Sequence, residues 1–102
     1  MPVYVDPSVH PYRGMIMCHM WATTHAELLA MATKIGLSHR WLQKPPQASW
    51  VHFDVCKNRR ALAVEFGAIE TDKYGPVEHL ARLRNDTAML DRIATLRSRN
   101  PS

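Results

Sequence analysis

The chain of 102 residues contains little cysteine and no long hydrophobic run, and each absence excludes a class of protein. Its two cysteines, Cys18 and Cys56, are too few for a disulfide framework, and we expect thiols in a reducing compartment. No apolar segment approaches the roughly 20 residues that cross a bilayer. The N-terminus lacks the basic-then-apolar pattern of a secretory signal. We therefore expect a cytoplasmic protein with no membrane partner.

The sequence also lacks the short motifs that mark common enzyme classes. It contains no Gly-x-Ser-x-Gly nucleophile elbow, no glycine-rich phosphate loop and no His-Glu-x-x-His helix. The net charge is +4, which permits contact with phosphates but is modest for a dedicated DNA-binding protein. The motifs and the charge leave open whether the protein is an enzyme.

The composition is that of one folded domain. Hydrophobic residues make up 46% of the chain and charged residues 22%, as in globular proteins. We predict an α+β fold, in which a small mixed sheet of three to four strands packs against two helices, plus a C-terminal helix. Residues 1–74 are predicted to form the core domain and residues 75–102 a helical extension. The predicted strands are 3–6, 15–21, 49–56 and 68–71, the predicted helices are 24–35, 57–66 and 76–98, and residues 7–14 are predicted to form a loop.

The first predicted helix has clear start and stop signals. Thr24 and Glu27 form a capping box, in which each side chain satisfies a backbone donor of the other residue. Gly36 supplies the left-handed conformation that ends many helices. Between them the apolar residues recur at helical spacing and predict one buried stripe. The stripe consists of Leu28, Leu29, Ala32 and Ile35.

Residues 49–56 form the most informative segment, because the two faces of the predicted strand differ in chemistry. One face is apolar, as expected for a core strand. The other carries a histidine, a carboxylate and a thiol, which are groups that bind metals, move protons and recognise ligands. The apolar face consists of Val51, Phe53 and Val55, and the polar face of Trp50, His52, Asp54 and Cys56.

The order of several short motifs resembles a family of small bacteriophage and bacterial proteins classed as a domain of unknown function, number four-zero-three-one. The resemblance covers about residues 2–70. It implies an α+β domain and a phage or prophage source, and it brings no established activity. The motifs are Tyr4-Val5-Asp6, Cys18-His19-Met20, Glu27-Leu28, Ile35-Gly36-Leu37, Arg40-Trp41-Leu42-Gln43, His52-Phe53-Asp54, Arg60-Ala61-Leu62 and Gly67-Ala68.

The first candidate site is a polar cluster on predicted strands. Strands hold side chains rigidly, and a histidine beside a carboxylate suits general base work or phosphate contact. The alternative is structural, with two histidines satisfied by hydrogen bonds and Asp54 capping the second helix. The candidate catalytic residues are Asp6, His19, His52 and Asp54, while His10, His25, His39 and His79 are expected to be ordinary surface or loop residues.

Histidines and thiols together are the donor types of a metal site, and the sequence offers Cys18, His19, His52 and Cys56. Because Cys18 and His19 are adjacent, they point to opposite faces of a strand and cannot easily bind one ion. Buried thiols that behave as small hydrophobic residues are the favoured interpretation. The sequence therefore predicts no metal ligands and no cofactor.

Basic and aromatic residues near residues 49–56 indicate the chemical class of the ligand. Basic residues at the start of the second helix suit a phosphate, and a tryptophan can stack on a base. We therefore expect a protein that binds a phosphate-bearing ligand, either a nucleotide or a nucleic acid, with His52 as acid or base if a reaction follows. The candidate ligand-binding residues are Lys57, Arg59, Arg60, Trp41 and Gln43.

The C-terminal segment supports a second hypothesis. Residues 76–98 carry a wide apolar stripe and many arginines, and Asn85-Asp86-Thr87 leaves open one long helix or two short ones. The stripe either packs on its own domain or pairs with another copy, and we favour a homodimer through residues 76–98. The alternative function is a non-enzymatic phage accessory protein that binds a host protein through this basic helix.

Overall fold

The computed structural model describes residues 2–7 and 10–99, which form an α+β fold with a mixed sheet. The predicted fold class is confirmed, including helical structure at the C-terminus. The described part contains five strands and four α-helices. They are β1 (Val3–Val5), β2 (His10–Tyr12), β3 (Met15–Ala22), α1 (His25–Lys34), β4 (Phe53–Cys56), α2 (Lys57–Glu65), β5 (Ile69–Glu70), α3 (Gly75–Leu83) and α4 (Thr87–Arg99).

Strand β3 is the centre of the sheet. Met17 pairs with His10 of β2 and also with Cys56 of β4, so those two strands lie along opposite edges of β3. Met20 is likewise paired with both β1 and β4. Strands β1 and β2 therefore follow one another along one edge of β3, and β4 lies along the other edge. All three pairings with β3 are antiparallel, whereas β5 pairs with β1 in parallel.

The prediction of an uninterrupted loop over residues 7–14 was wrong. His10–Tyr12 pairs with β3 through a two-residue turn, in which Arg13 and Gly14 both have positive φ, at 49° and 77°. Positive φ at both central residues matches the twist of antiparallel strands, and glycine adopts it without strain. Pro11 has no N–H to donate, which is tolerated at the edge of a sheet. A strand of three residues gave no alternating hydrophobic pattern to detect.

One face of the sheet forms the core with α1 and α2. Cys18, Met20, Phe53 and Val55 are all at most 1% exposed, and they cluster with the apolar stripe of α1 and with Ala63 of α2. Because side chains alternate along a strand, the same pairing sends the residues between them to the other face. The predicted split into an apolar and a polar face is confirmed for residues 52–56, but the predicted strand over residues 49–56 was too long, since β4 begins at Phe53.

The signal that ends α1 acts as predicted, and the capping box at its start forms in part. The Thr24 hydroxyl accepts the predicted hydrogen bond from the Glu27 amide at 3.2 Å, but the Glu27 carboxylate accepts from the Thr24 hydroxyl at 2.8 Å rather than from the Thr24 amide. At the other end Gly36 has a φ of 73°, and the Leu37 amide donates to the Ala32 carbonyl at 2.8 Å. These contacts satisfy backbone groups that a helix end leaves unpaired, so the length of α1 is fixed locally.

The chain divides into two compact units, Met1–Thr71 and Asp72–Ser102. In the second unit, α3 and α4 are separated by Asn85, whose φ is 53°, so this segment forms two short helices. The Arg97 guanidinium donates to Asp72 at 2.8 and 3.0 Å and to Glu78 at 2.8 and 3.2 Å. No helix among residues 2–7 and 10–99 is long and apolar enough to cross a membrane.

Candidate functional site on the polar face of the sheet

The polar face of the sheet carries a group of three histidines and two aspartates, which we call the His/Asp cluster. Antiparallel pairing places His19 of β3 directly opposite Asp54 of β4. Asp6 follows β1 and lies beside His19, because its amide donates to the His19 carbonyl at 3.2 Å. Two further histidines come from the start of β2 and from the residue before β4. The cluster consists of Asp6, His10, His19, His52 and Asp54.

Asp6 orients the His19 ring. The Asp6 carboxylate accepts one hydrogen bond from the His19 amide and forms another with the imidazole Nδ1, each 2.7 Å long. Asp6 is buried, so water competes little for these contacts. The hydrogen bond with Asp6 raises the pKa of His19 above its ordinary value, although burial acts against it. The ring is thereby fixed with its Nε2 atom directed away from Asp6 and into the cluster.

Asp54 lies at the centre of the cluster. Its Oδ1 atom is 3.7 Å from Nε2 of His10, 3.9 Å from Nε2 of His19 and 3.6 Å from Nε2 of His52. Its Oδ2 atom accepts a hydrogen bond from the Gln43 side-chain amide. Burial disfavours the carboxylate, but its interactions with His52 and Gln43 outweigh burial and lower the pKa of Asp54. Asp54 is therefore ionised at neutral pH.

Asp54 does not cap the second helix. The N-cap residue of α2 is Cys56, and its side chain makes no capping hydrogen bond. The structural alternative considered for Asp54 was therefore wrong. Its side chain belongs to the polar face because Asp54 lies within β4, two residues before the end of that strand.

His52 is the most buried ring of the cluster, with 5% of the residue exposed. Its Nδ1 atom lies 3.1 Å from the Trp50 carbonyl oxygen, which can only accept a hydrogen bond. Nδ1 therefore carries a proton. Its Nε2 atom faces Oδ1 of the ionised Asp54 at 3.6 Å.

Aromatic contacts fix the positions of the rings. The Trp50 ring stacks on His52 with centroids 4.4 Å apart, and its centroid is 5.6 Å from that of His19. Trp50 also contacts Trp21, which is 2% exposed, at 5.7 Å. The His10 and His19 rings lie 4.8 Å apart. The imidazoles are therefore held by packing as well as by hydrogen bonds, which limits their rearrangement.

The predicted convergence of His19, His52 and Asp54 is confirmed, since the two ring centroids are 5.3 Å apart and Asp54 contacts both rings. Asp6 and Gln43 also belong to the arrangement, as predicted from the sequence. The catalytic or binding role of each residue stays a prediction.

The remaining predicted ligand residues have other contacts. Arg59 donates to the carbonyls of Ile35 and Gly36 at 2.6 and 2.8 Å. Arg60 donates to the Asp6 carbonyl at 2.8 Å and to the Glu70 carboxylate at 3.0 Å. Both guanidiniums thus hold backbone segments together. Lys57 is exposed at the first turn of α2, and Trp41 is 58% exposed beneath the Arg40 guanidinium.

His10 is the residue that sequence reasoning missed. It was expected to be an ordinary loop residue, but β2 brings its Nε2 atom to 3.7 Å from Asp54. Val5 pairs with Met20 and His10 pairs with Met17, so β1 ends and β2 begins on either side of His19. The Arg13-Gly14 turn was the available signal, since it favours a hairpin.

The fold and the site define a class, namely an α+β domain with a rigid histidine and aspartate cluster on one sheet face. Residues 3–84 match the family described as "Protein of unknown function (DUF4031)", and the chain belongs to this family. The match contains the whole His/Asp cluster and continues through α3. The family predicted from the sequence is confirmed, and its match extends beyond the predicted limit of residue 70. The phage or prophage source stays a prediction. Neither the curated proteins nor the solved structures contain a match to this chain.

Proposed function

We propose that the protein binds a phosphate-bearing ligand, a nucleotide or a nucleic acid, at the His/Asp cluster. The observation that carries the proposal is the Asp6–His19 pair. The carboxylate fixes Nδ1 of the imidazole at 2.7 Å, so the opposite ring nitrogen is presented in a constant direction. A phosphate oxygen that approaches this nitrogen meets an ordered partner and loses little binding free energy to reorganisation.

The imidazoles are the groups best placed to contact a phosphate. The side chains of His10 and His19 are 35% and 31% exposed, so a ligand can reach both rings. The guanidiniums of Arg59 and Arg60 already donate to backbone carbonyls. This distribution supports direct contact through the histidines, with the arginines supplying a more distant positive field. The net charge of +4 favours the approach of an anion.

A reaction on the bound ligand would use His19 as its acid or base. His19 has an orienting carboxylate on one nitrogen and partial exposure at the other, which is the arrangement of a general base. His52, which the sequence suggested for this role, is 5% exposed and its Nδ1 is tied to the Trp50 carbonyl. Substrate access therefore favours His19.

Equilibrium binding tests this proposal. A fluorescently labelled single-stranded oligonucleotide and a labelled ATP analogue are titrated with the full chain at low salt, where phosphate contacts are strongest. We expect binding of one of the two probes and competition by inorganic phosphate. His19→Asn should weaken that binding at least tenfold, while the matched variant His25→Asn, at an exposed position on α1, should not change it.

Thermal melting of both variants controls for loss of the fold. The proposal is wrong if neither probe binds the unmodified protein at low salt. It is also wrong if a folded His19→Asn variant binds as tightly as the unmodified chain.

The alternative proposal is a non-enzymatic phage accessory protein that binds a host protein. It is supported by the exposed apolar residues of α3, since Leu83 is 64% exposed and Val77 is 44% exposed. Arg84, Arg92 and Arg99 are also exposed in the C-terminal unit and favour an acidic partner. Loss of a host partner in Leu83→Glu, with retention in Arg13→Glu on the β2–β3 turn, would support this function, and the reverse pattern would contradict it.

A further inference from the structure

We infer that the His/Asp cluster is a binding site for a divalent cation of the zinc class. Its ligands would be Nε2 of His10, Nε2 of His19 and Oδ1 of Asp54, with Nε2 of His52 as the fourth donor. The inference concerns the same cluster as the proposed function, but it does not depend on a phosphate ligand. Thiols take no part in it, in contrast to the set of donors that the sequence suggested.

Three of the proposed donor atoms already lie close together, and the fourth, Nε2 of His52, lies beside Asp54. The ligand atoms of His10, His19 and Asp54 all lie within 4.8 Å of one another. The three imidazole Nε2 atoms lie 3.6 to 3.9 Å from Oδ1 of Asp54. Tetrahedral zinc with ligands at about 2.0–2.1 Å places its ligand atoms about 3.3 Å apart. The distances to Asp54 exceed this value by only about half an ångström, which small side-chain rotations can supply.

His19 and His52 have the hydrogen-bond partners that are typical of metal-binding histidines. A histidine that binds a metal through one nitrogen almost always donates its other N–H to a carboxylate or a backbone carbonyl. His19 has its Nδ1 on the Asp6 carboxylate at 2.7 Å, and His52 has its Nδ1 on the Trp50 carbonyl at 3.1 Å. Both arrangements direct a lone pair on Nε2 into the cluster.

His52 lies beside the same carboxylate oxygen. The His52 side chain is 7% exposed, and its Nε2 atom faces Oδ1 of Asp54 across 3.6 Å. A cation bound to Oδ1 of Asp54 would therefore lie close to Nε2 of His52. Gln43 donates to the other oxygen of Asp54 and leaves Oδ1 directed at this point.

The donor set selects the ion. Imidazole nitrogen suits zinc and neighbouring transition metals, whereas Mg²⁺ and Ca²⁺ prefer sites built from oxygen ligands. Three imidazoles and one carboxylate therefore favour Zn²⁺ over either alkaline-earth ion. The sequence did not predict this set, because His10 enters it through the pairing of β2 with β3.

Calorimetric titration of the full chain with zinc chloride, after removal of bound metal with a chelator, tests the inference. We expect one Zn²⁺ per chain and no competition from millimolar Mg²⁺. Co²⁺ should give the strong visible absorption of a tetrahedral ion and be displaced by Zn²⁺. The variants His10→Gln, His19→Gln and Asp54→Asn should each weaken zinc binding at least tenfold, while His25→Gln should leave it unchanged.

His10→Gln is the decisive variant, because His10 is 35% exposed on an edge strand and its replacement should preserve the fold. A melting curve checks this directly. Absence of stoichiometric zinc binding overturns the inference, and so does equal affinity in a folded His10→Gln variant. Since zinc alone is the probe, a negative result leaves the oligonucleotide and ATP titrations to decide the proposed function separately.

Discussion

The buried carboxylate of Asp6 binds His19 twice, through the backbone amide and through the imidazole Nδ1, each at 2.7 Å. The same carboxylate thus joins β1 to β3 and orients a side chain of the cluster. Stability and site geometry are consequently coupled at this position. A change in Asp6 should affect both, and the two effects can be measured separately.

Asp6→Asn should lower the free energy of unfolding by about 1–3 kcal/mol, because the NH2 group that replaces one carboxylate oxygen cannot accept the hydrogen bond that this oxygen accepts. It should also lower the pKa of His19 toward its ordinary value, since the hydrogen bond with Asp6 is the main cause of the raised pKa. Denaturant unfolding and an NMR titration of the imidazole measure the two effects. Asp91→Asn, at an exposed position on α4, is the control and should change neither quantity.

Arg60→Ala should destabilise the fold by about 1.5–3 kcal/mol, the range for hydrogen bonds that involve a charged group. Its side chain is 18% exposed and donates to the Asp6 carbonyl and the Glu70 carboxylate. The sequence predicted a ligand-binding role for Arg60. Thermal melting against Arg92→Ala, an exposed arginine on α4, measures the difference. An unchanged melting temperature would contradict a structural role and would support the ligand-binding role that the sequence predicts for Arg60.

The C-terminal unit should lose stability in acid. Hydrogen bonds with Arg97 hold the pKa values of Asp72 and Glu78 below their ordinary values of 3.8 and 4.5. A depressed pKa in the folded state means that the stabilisation is complete above the unfolded pKa and is lost as the pH falls through the folded pKa. We therefore expect a loss of helical circular dichroism that begins near pH 4.5 and continues below it.

Arg97→Met provides the matched variant for this pH effect. It removes the cation and keeps much of the apolar stem, so the acid transition assigned to Asp72 and Glu78 should become shallower. Arg99→Met is the control at an exposed position. An acid transition of identical steepness in Arg97→Met would show that other carboxylates cause the loss.

Residues 76–98 should mediate self-association, principally through Leu83. Within the apolar stripe of this segment, Ile93 is already 2% exposed in a single chain, whereas Leu83 is 64% exposed. Burial of Leu83 in a twofold contact would contribute about 1.5–3 kcal/mol per copy before association costs.

Sedimentation of the full chain measures this association. We expect a dimer at high micromolar concentration, and we expect Leu83→Glu or a chain that ends at Tyr74 to be monomeric. Leu62→Glu, at an exposed position on α2, is the control and should remain dimeric. A full-length chain that stays monomeric at that concentration contradicts the prediction.

Local signals in the sequence predicted the first helix and the two faces of β4. Thr24 and Glu27 act within one turn of helix, and Gly36 needs only its own backbone conformation. The alternation over residues 49–56 has a period of two, so it assigned His52 and Asp54 to one face without knowledge of the neighbouring strands. Each of these features depends on residues a few positions apart, which is why composition and spacing sufficed.

The contacts of His10 and Arg60 could not be predicted in this way. His10 reaches Asp54 because β2 pairs with β3, and Arg60 reaches the Asp6 carbonyl across 54 positions of sequence. Such distances depend on strand register and on helix packing, which the period of a single segment does not contain. The sequence by itself determined which side chains occupy the polar face, but the pairing of the strands determined which of their atoms come into contact.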